Sequence, residues 1–361
     1  MQRIGFLMLL VLSFVAPAYS AEFHEEVERD FPLRSIGQLN LTNMRGDLTI
    51  QGWALDKIRV KARRTAIAET AEEAKQLFSA VDFRYRMLDR DIELSAEYGR
   101  GLSIEARLKE REHPKTGMQM TVYAPANLKL RVWAVDGKAT VKSWNAPVEI
   151  RTAAGPISIE NIKADHVSLL CPTCPMVVKS VRGSVRCMGG TGDIALDQVA
   201  GAHIYVESSS GALRLNGVKG EQLYVSKSGA VTGRVLDGRM EFHTQQASVE
   251  LYDASGFLSG RTETGDISVK MRRWNFSDKA LVESIQGNIS LHLPFTFSGD
   301  VDIWSQQGKT DVTFPVRKNQ EKTSFGPEPM GRVLGKVGDG GELLKIYSEK
   351  GDVRVSRGSL D

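Results

Sequence analysis

The sequence of 361 residues is short of the features that usually identify an activity. Its formal net charge of +3 is too small to attract nucleic acid or anionic lipid through a general electrostatic field. No basic cluster is interleaved with aromatic residues, so we expect no nucleic-acid partner. No Gly-x-Ser-x-Gly motif offers a nucleophile. A glycine-rich string near the C-terminus, "GRVLGKVGDGG", lacks the Lys-Ser/Thr ending of a phosphate-binding loop.

Long apolar runs are also scarce, and the one candidate lies at the start of the chain. Arg3 precedes an apolar run from Ile4 to Ala16, and Ala18 and Ser20 have the spacing of small residues that signal peptidase reads. We therefore predict a signal peptide over residues 1–20. The alternative, an uncleaved anchor, needs a longer apolar run to span a bilayer. No later run could cross a membrane, so we expect a soluble, exported chain in the periplasm, at the cell surface or outside the cell.

Glycine, in contrast, recurs in a pattern. Phrases such as "AGPISI", "TGDIAL", "SGALRL" and "TGDISV" each begin a unit at a turn glycine. The corner positions are Gly137, Gly155, Cys174, Gly192, Gly211, Gly229, Ala247, Gly265, Gly287 and Gly308. Successive spacings are 18, 19, 18, 19, 18, 18, 18, 22 and 21 residues. Such a period is the signature of a stacked repeat architecture.

Within each unit, apolar and polar residues alternate, which predicts half-buried strands. In "DIAL", Ile194 and Leu196 lie on one face, and Asp193 and Ala195 lie on the other. One unit cannot bury its apolar face alone, so the units should stack about 4.8 Å apart. We therefore predict an all-β parallel β-solenoid, or β-helix, with right-handed winding. An antiparallel sandwich also explains the alternation, but not the return of the same turn once per unit.

The predicted organisation has four parts after the signal peptide. They are a mixed β-rich N-terminal region (21–130) carrying one short helix, solenoid units (131–314), a loop (315–341) and a C-terminal β unit (342–361). The helix is indicated by a capping box of Thr70 with Glu73. Apolar residues then follow at helical spacing. Such a helix either covers an end of the stack or decorates the surface.

The stretch "MTVYAPANLKLRVWAVDGKATVKSWNAPVEIRTAAGPISI" resembles the putative-adhesin family of bacterial β-strand-repeat proteins, a domain of unknown function. The resemblance rests on the Ala124-Pro125 turn, the iterated Gly-Asp-apolar-x-apolar units and the tail "GELLKIYSEKGDVRVS". It extends over roughly residues 36 to 357, with departures at Cys174 and Ala247. The resemblance implies a solenoid protein of the surface or envelope. It supplies no catalytic residues.

The three cysteines form a Cys171-x-x-Cys174 pair with Cys187 nearby. In the predicted register Cys187 lies over Leu169, about 8 Å from Cys171, which is too far for a disulfide. We therefore predict a Cys171–Cys174 disulfide and a buried free thiol at Cys187. A redox or metal role is the alternative, but a corner offers no helix N-terminus to activate a thiolate and no fourth zinc ligand.

Histidines and carboxylates do not cluster in the predicted register. His166 and His203 face outward two coils apart, about 9–10 Å, so one metal ion cannot join them. Asp193 and Asp266 share the corner column about 19 Å apart, too far for paired acid–base work. We expect no metal site, no cofactor and no catalytic residue.

Two tyrosines are the remaining candidates for a site. Tyr205 and Tyr224 are predicted to face outward in adjacent coils, about 4.8 Å apart. They would form either part of a binding face or a stabilising surface ladder.

The sequence thus favours an exported, non-enzymatic, adhesin-like β-solenoid that contacts a protein or glycan at the surface or in the envelope. One alternative is a polysaccharide-active β-helix enzyme, a lyase or hydrolase, which three or more acidic and basic side chains on one outer face would favour. Another is an envelope stress or signalling scaffold that makes its contacts through residues 21–130.

Overall fold

The computed structural model describes residues 20–33, 37–88, 90–101, 115–275, 278–318 and 331–358, so the predicted signal peptide, apart from Ser20, lies outside the described residues. One helix is present in these ranges, α1 (Ala71–Ser79). The strands are β1 (Ala21–Pro32), β2 (Gln38–Arg45), β3 (Leu48–Trp53), β4 (Lys57–Ala68), β5 (Val81–Leu88), β6 (Asp91–Tyr98), β7 (Thr116–Pro125), β8 (Lys129–Asp136), β9 (Ala139–Trp144), β10 (Val148–Thr152), β11 (Ile157–Cys171), β12 (Met176–Gly189), β13 (Ile194–Ser208), β14 (Leu213–Ser226), β15 (Val231–Thr244), β16 (Val249–Thr262), β17 (Ile267–Trp274), β18 (Ala280–Ser284), β19 (Ile289–Pro294), β20 (Gly299–Ser305), β21 (Thr310–Val312), β22 (Val333–Val337), β23 (Leu343–Ser348) and β24 (Val353–Gly358).

The central strands confirm the parallel β-solenoid. Each strand from β11 to β16 runs through one coil and pairs in parallel with the coil before it and the coil after it. Met176, for example, lies between Ile157 and Ile194. The parallel pairing rules out the sandwich. The right-handed winding stays a prediction.

Each coil turns around a continuous apolar core. Inward residues such as Ile159, Val178 and Leu196 are buried and stack in register. After the first face, which follows the corner, the backbone bends at a residue with positive φ: Ser143, Asn161, Ser180, Gln198, Gly217, Val235 and Asp253. A short side leads from this bend to a further corner, and the second face then returns to the corner glycine. Asn and glycine suit such bends because they adopt positive φ readily.

The corner glycines bring successive coils into backbone contact. A Cβ added to Gly211 would lie 2.0 Å from the Gly192 carbonyl oxygen, and one on Gly229 would lie 2.0 Å from that of Gly211. The residue after the glycine completes the corner. Asp193 Oδ1 accepts a hydrogen bond from the Ala212 N–H (2.9 Å) in the next coil. The Gly-Asp phrase of the sequence is therefore a device that joins coils.

A column of small residues lies three residues before the corner, and eight of its ten members are buried Ser or Thr. Its members are Thr152, Cys171, Gly189, Ser208, Ser226, Thr244, Thr262, Ser284, Ser348 and Ser305. Ser208 Oγ donates to the Gly211 carbonyl (2.8 Å) within its own turn. Ser284 Oγ accepts from the Gly287 N–H (2.8 Å) and donates to the Gly265 carbonyl of the preceding coil (3.3 Å). The hydroxyls satisfy backbone groups that would otherwise be buried without partners.

Both ends of the solenoid are interleaved. The unit formed by β2 and β3 lies between β6 and β7 on one side and β8 and β9 on the other. At the far end, β23 and β24 lie between β18 and β19 on one side and β20 and β21 on the other. Gly351 accordingly packs on Gly287, and Gly308 packs on Gly351. The C-terminal β unit is therefore an inner layer of the stack.

Antiparallel strands cover three ends of the parallel strand stacks that form the two faces. On the first face, β4 pairs antiparallel with β7, and β1 pairs antiparallel with β4. On the second face, β5 is antiparallel to β6 at the N-terminal end, and β22 is antiparallel to β20 at the C-terminal end. These strands cover the open edges of the parallel stacks, which would otherwise invite pairing with other chains.

The predicted helix is present. Thr70 Oγ1 accepts the Glu73 N–H (3.1 Å), and Glu73 Oε2 accepts the Glu69 N–H (2.9 Å), one residue earlier than in a standard capping box. The helix buries Ala74 and Phe78 in a small cluster that is separate from the main core. It therefore covers the end of the β1–β4 ribbon and not the coil stack. With nine residues, α1 is too short to cross a membrane, and no other helix occurs in the described ranges.

The hydroxyl column can be tested at one coil. Ser284→Ala removes an acceptor and a donor from buried backbone groups, so we expect a loss of about 1–3 kcal/mol in the free energy of unfolding. Ser290→Ala, at an exposed position of the next strand, should change it by less than about 0.5 kcal/mol. Urea denaturation followed by circular dichroism measures both. Equal effects would contradict the assigned role.

Candidate functional site

Cys171 and Cys174 lie inside one corner, and Cys187 lies in the next coil. Cys171 and Cys174 are joined in a disulfide with their Cα atoms 5.6 Å apart. Cys171 occupies the hydroxyl column, and its sulfur accepts the Cys174 N–H (3.0 Å) just as Ser284 Oγ accepts the Gly287 N–H. Cys187 is a free, fully buried thiol opposite Leu169. Burial raises the pKa of Cys187 to about 12, so its reactive thiolate is suppressed.

The prediction that both tyrosines face outward is wrong for Tyr224. Tyr205 aligns with Leu223 of the next coil, and Tyr224 aligns with the inward Val206. The cause is one extra residue in the coil from Gly192 to Gly211, taken up by a register shift between Ala200 and His203. The two coils therefore differ in length, and the similar strings "HIYVE" and "QLYVS" do not superpose residue for residue.

Tyr224 is a core residue with a buried polar partner. Its hydroxyl donates to Gln222 Oε1 (2.5 Å), and the Gln222 amide donates to the Asp237 carbonyl of the next coil (2.9 Å). Burial raises the pKa of Tyr224 well above its usual range. Tyr205 is half-buried, donates to Glu207 Oε2 (2.6 Å) and carries the Arg186 guanidinium 5.2 Å from its ring centre. Tyr224 therefore presents no aromatic face to solvent, and Arg186 covers one face of the Tyr205 ring.

The histidine and aspartate candidates stay apart. His203 Nδ1 lies 2.9 Å from Glu221 Oε2 on the surface. Asp193 and Asp266 each accept the corner N–H of the following coil, so their spacing reflects corner construction. Among the residues that the structure describes, no group of three or more His, Cys, Asp or Glu side chains could hold a metal ion.

A groove on the first face was not predicted. It crosses four coils, encloses about 790 Å³ and is lined by the outward residues of β13 to β16. Small residues, including Ala195 and Thr232, form part of its lining. The larger side chains along it are Asp197, Arg214, Asn216, Arg234, Glu250 and Tyr252. The outward positions of the other units are charged in the same way, as at Glu160, Lys179 and Lys270, so the sequence carries no distinct signal for the groove.

The polar groups of the groove are largely engaged with one another. Arg214 Nη1 contacts Asp193 Oδ2 (2.6 Å), and the Asn216 amide donates to Asp197 Oδ1 (2.7 Å). The Arg214 guanidinium holds the pKa of Asp193 below its usual range, so this carboxylate is ionised at neutral pH. Tyr252 lies between two cations, with Arg234 at 5.3 Å and Lys270 at 5.2 Å from its ring centre. The groove is a preformed surface carrying both signs of charge.

This architecture defines a class of protein: a parallel β-solenoid with a dry core, interleaved ends and polar outer faces. The chain belongs to the Toastrack DUF4097 family, whose profile matches residues 118–356, well over half of its length. The family is a domain of unknown function, as the sequence resemblance implied. No curated protein matches the chain.

Solved structures of similar proteins carry descriptive titles. A putative cell adhesion protein from Clostridium sporogenes shares 10% identity and a TM-score of 0.23, covering 92% of this chain and 100% of its own. A putative adhesin from Bacteroides fragilis shares 12% identity and a TM-score of 0.28, with 92% and 97% covered. A putative lipid binding protein from Parabacteroides distasonis shares 10% identity and a TM-score of 0.26, with 92% and 96% covered. At these scores the likenesses support no argument about function.

The corrected position of Tyr224 gives a matched pair of variants. Tyr224→Phe leaves buried Gln222 Oε1 without its donor, so the free energy of unfolding should fall by about 1–3 kcal/mol. Tyr205→Phe removes a hydrogen bond at the surface and should change it by less than about 0.5 kcal/mol. Urea denaturation compares the two. A similar small loss for both variants would indicate that the Tyr224 side chain is exposed and would contradict its buried position.

The predicted cysteine pairing can be read by mass. With iodoacetamide, the folded protein should gain no adduct, because Cys187 is buried and its thiolate is suppressed. In denaturant without reductant it should gain one adduct, and after reduction three. Peptide mapping should place the single adduct on Cys187. Three adducts without reductant would contradict the disulfide.

Proposed function

We propose that this chain is an exported, non-enzymatic β-solenoid that binds a protein or glycan of the cell surface or envelope through its outer faces. The observation that carries the proposal is the groove across β13 to β16. Four coils in register hold its side chains at fixed spacings, so a partner meets a rigid, preformed surface and little ordering free energy is lost on binding. Stacked-repeat proteins commonly use such extended faces for binding.

The polysaccharide-active enzyme is the second candidate, because acidic and basic side chains do share this face. Asp197, Arg214, Arg234 and Glu250 line one groove. The carboxylates of Asp197 and Glu250 stand on coils three steps apart, about 14 Å. Paired carboxylates of glycoside hydrolases lie about 5–9.5 Å apart. Asp193 is held ionised by Arg214 and cannot act as a proton donor. The groove geometry therefore favours binding over cleavage.

Export rests on the N-terminal pattern of Arg3, the apolar run to Ala16 and the small residues before Ala21. A disulfide at Cys171–Cys174 suits an oxidising compartment. The scaffold alternative, in which residues 21–130 make the contacts, predicts that variants in the groove leave binding unchanged.

A single assay separates these functions. The purified chain is applied to an immobilised panel of glycans and matrix proteins, and soluble pectin-like and alginate-like polymers are assayed for cleavage. Arg214→Ala with Arg234→Ala should weaken binding about tenfold, since both cations border the groove. The control, Arg151→Ala with Arg261→Ala, removes two cations of similar exposure from the second face and should leave affinity within about twofold.

The outcomes are distinct. Measurable cleavage of either polymer would establish the enzyme. An equal loss in both double variants would mean that general charge and not the groove governs binding. Binding that neither double variant changes would point to the N-terminal region.

A further inference from the structure

Strand β1 is the outer strand of the first face and, in the described part of the chain, pairs only with β4. The pairing is antiparallel and continuous from Ala21 opposite Ala68 to Pro32 opposite Lys57. The chain then continues into β2, which lies in the other face between β6 and β8. β1 is therefore held in its own sheet by pairing with β4, and the next strand along the chain, β2, does not anchor it there.

The two strands carry opposite charges. The acidic row of β1 consists of Glu22, Glu26, Glu28 and Asp30, with Glu25 on the opposite face of the strand. The basic row of β4 consists of Lys57, Arg59, Lys61 and Arg63, with Arg64 on the opposite face. The antiparallel register places Glu25 opposite Arg64, Glu26 opposite Arg63, Glu28 opposite Lys61 and Asp30 opposite Arg59. A shift by one residue would lose most of this match, whereas a shift by two would still oppose Asp30 to Lys57, Glu28 to Arg59 and Glu26 to Lys61.

The opposed charges on the outer face form a connected network around Arg59, and Glu25 with Arg64 forms a separate pair on the other face. Asp30 accepts Arg59 through two bonds (2.7 and 2.9 Å) and contacts Lys57 Nζ (2.7 Å). Glu28 lies 3.2 Å from Arg59 Nε and 3.4 Å from Lys61 Nζ. Arg64 Nη1 lies 3.0 Å from Glu25 Oε2. The hydrogen bond from Arg59 and that from Lys57 lower the pKa of Asp30 far below its usual range.

Apolar contacts of β1 are few. Phe23, Val27 and Phe31 are half-buried, and most other side chains of the strand are exposed. Phe31 stacks on Tyr85 with ring centres 4.5 Å apart, and Arg29 contacts Asp82 (3.1 Å). Exposed ion pairs contribute little each and weaken with salt. Charge therefore favours β4 as the partner of β1, and the exposed ion pairs make this part of the attachment sensitive to salt.

We infer that β1 is an exchangeable strand and that the basic row of β4 is a docking site for β1 of a second copy of this chain. Reciprocal exchange joins two copies through their N-terminal regions and buries the same contacts in both. The second copy is the occupant because its β1 is the segment whose charges and register match β4. The inference is independent of the groove.

The charge pattern also excludes a simpler dimer. If two copies met through the free edges of their β1 strands, two acidic rows would adjoin, and like charges on neighbouring strands destabilise a sheet. Among the described strands, β4 is the one that pairs with β1 and sets a basic row opposite its acids. Exchange of β1, and not edge-to-edge pairing, is the arrangement that this surface permits.

Mixed cysteine cross-linking tests the exchange in the full chain. One sample carries Glu26→Cys and the other Arg63→Cys, register partners whose Cα separation in a strand pair suits a disulfide. The native cysteines are buried, so the introduced thiols are the accessible ones. After mixing and mild oxidation, a cross-linked heterodimer should appear. It should form more quickly in about 1 M than in about 0.05 M NaCl, because salt screens the ion pairs that hold the native β1 in place.

Two control mixtures define the background. Glu26→Cys with Thr232→Cys, an exposed site in the groove, reports random collision, and Glu26→Cys alone reports β1–β1 contact. A heterodimer yield no higher than the first control at every salt concentration would overturn the inference. A yield in the second control equal to that of the register pair would also overturn it, in favour of edge pairing.

A labelled peptide with the sequence of residues 21–32 gives a test on the unmodified chain. It should be incorporated during incubation with the wild-type protein, seen as a rise in fluorescence anisotropy. A peptide with Asp30→Arg should be incorporated about tenfold less into the wild type, because the native β1 that it must displace keeps Asp30, and Arg59→Glu in the protein should restore its incorporation. Absence of incorporation into the wild type, or loss without rescue, would contradict a site that reads charge at Asp30.

Discussion

Backbone contact at the corner is the constraint on which the solenoid depends. At Gly155, Gly192 and Gly211, the position of a Cβ is occupied by the carbonyl group of the preceding coil. This close approach lets an aspartate or asparagine reach the next N–H and lets a buried hydroxyl reach the preceding carbonyl. Apolar residues supply most of the burial free energy. The corner decides which apolar residues meet, because it sets where each coil begins.

The same rule explains the irregular ends. The unit around Gly46 packs against Gly137, and the unit around Gly351 packs between Gly287 and Gly308. Each repeats the corner chemistry, since Asp47 accepts the Lys138 N–H and Asp352 accepts the Lys309 N–H. Units far apart in sequence thus stack on one another through the same corner contacts as consecutive units. Antiparallel strands then finish the stack where a further corner would leave an open edge.

The sequence predicts those parts of the structure whose contacts are local or recur with the repeat. The corner spacing, the alternation and the helix at Thr70 are local, so the solenoid, its core and α1 were accessible. Tyr224 was misplaced because one added residue in the preceding coil reverses inside and outside without changing the pattern. The order of the last layers could not be predicted because β23 pairs with strands on both sides by long-range contacts. The serine and threonine column corresponds to a local Ser/Thr-x-x-Gly motif, so it too was predictable from the sequence. The groove is created by four coils together and has no signature in any one of them.

The inner position of the C-terminal unit fixes an order of assembly. Central coils such as β12 can dock on β11 as soon as both have been synthesised. β20 and β21 precede β23 and β24 in the chain, yet among the described strands they pair only with β22, β23 and β24. β20 can pair with β22 before then, but neither β20 nor β21 has a coil of the stack to dock on until residues 343–358 are present. The last layer therefore joins the stack only after the segment that lies beneath it, although that segment comes later in the chain.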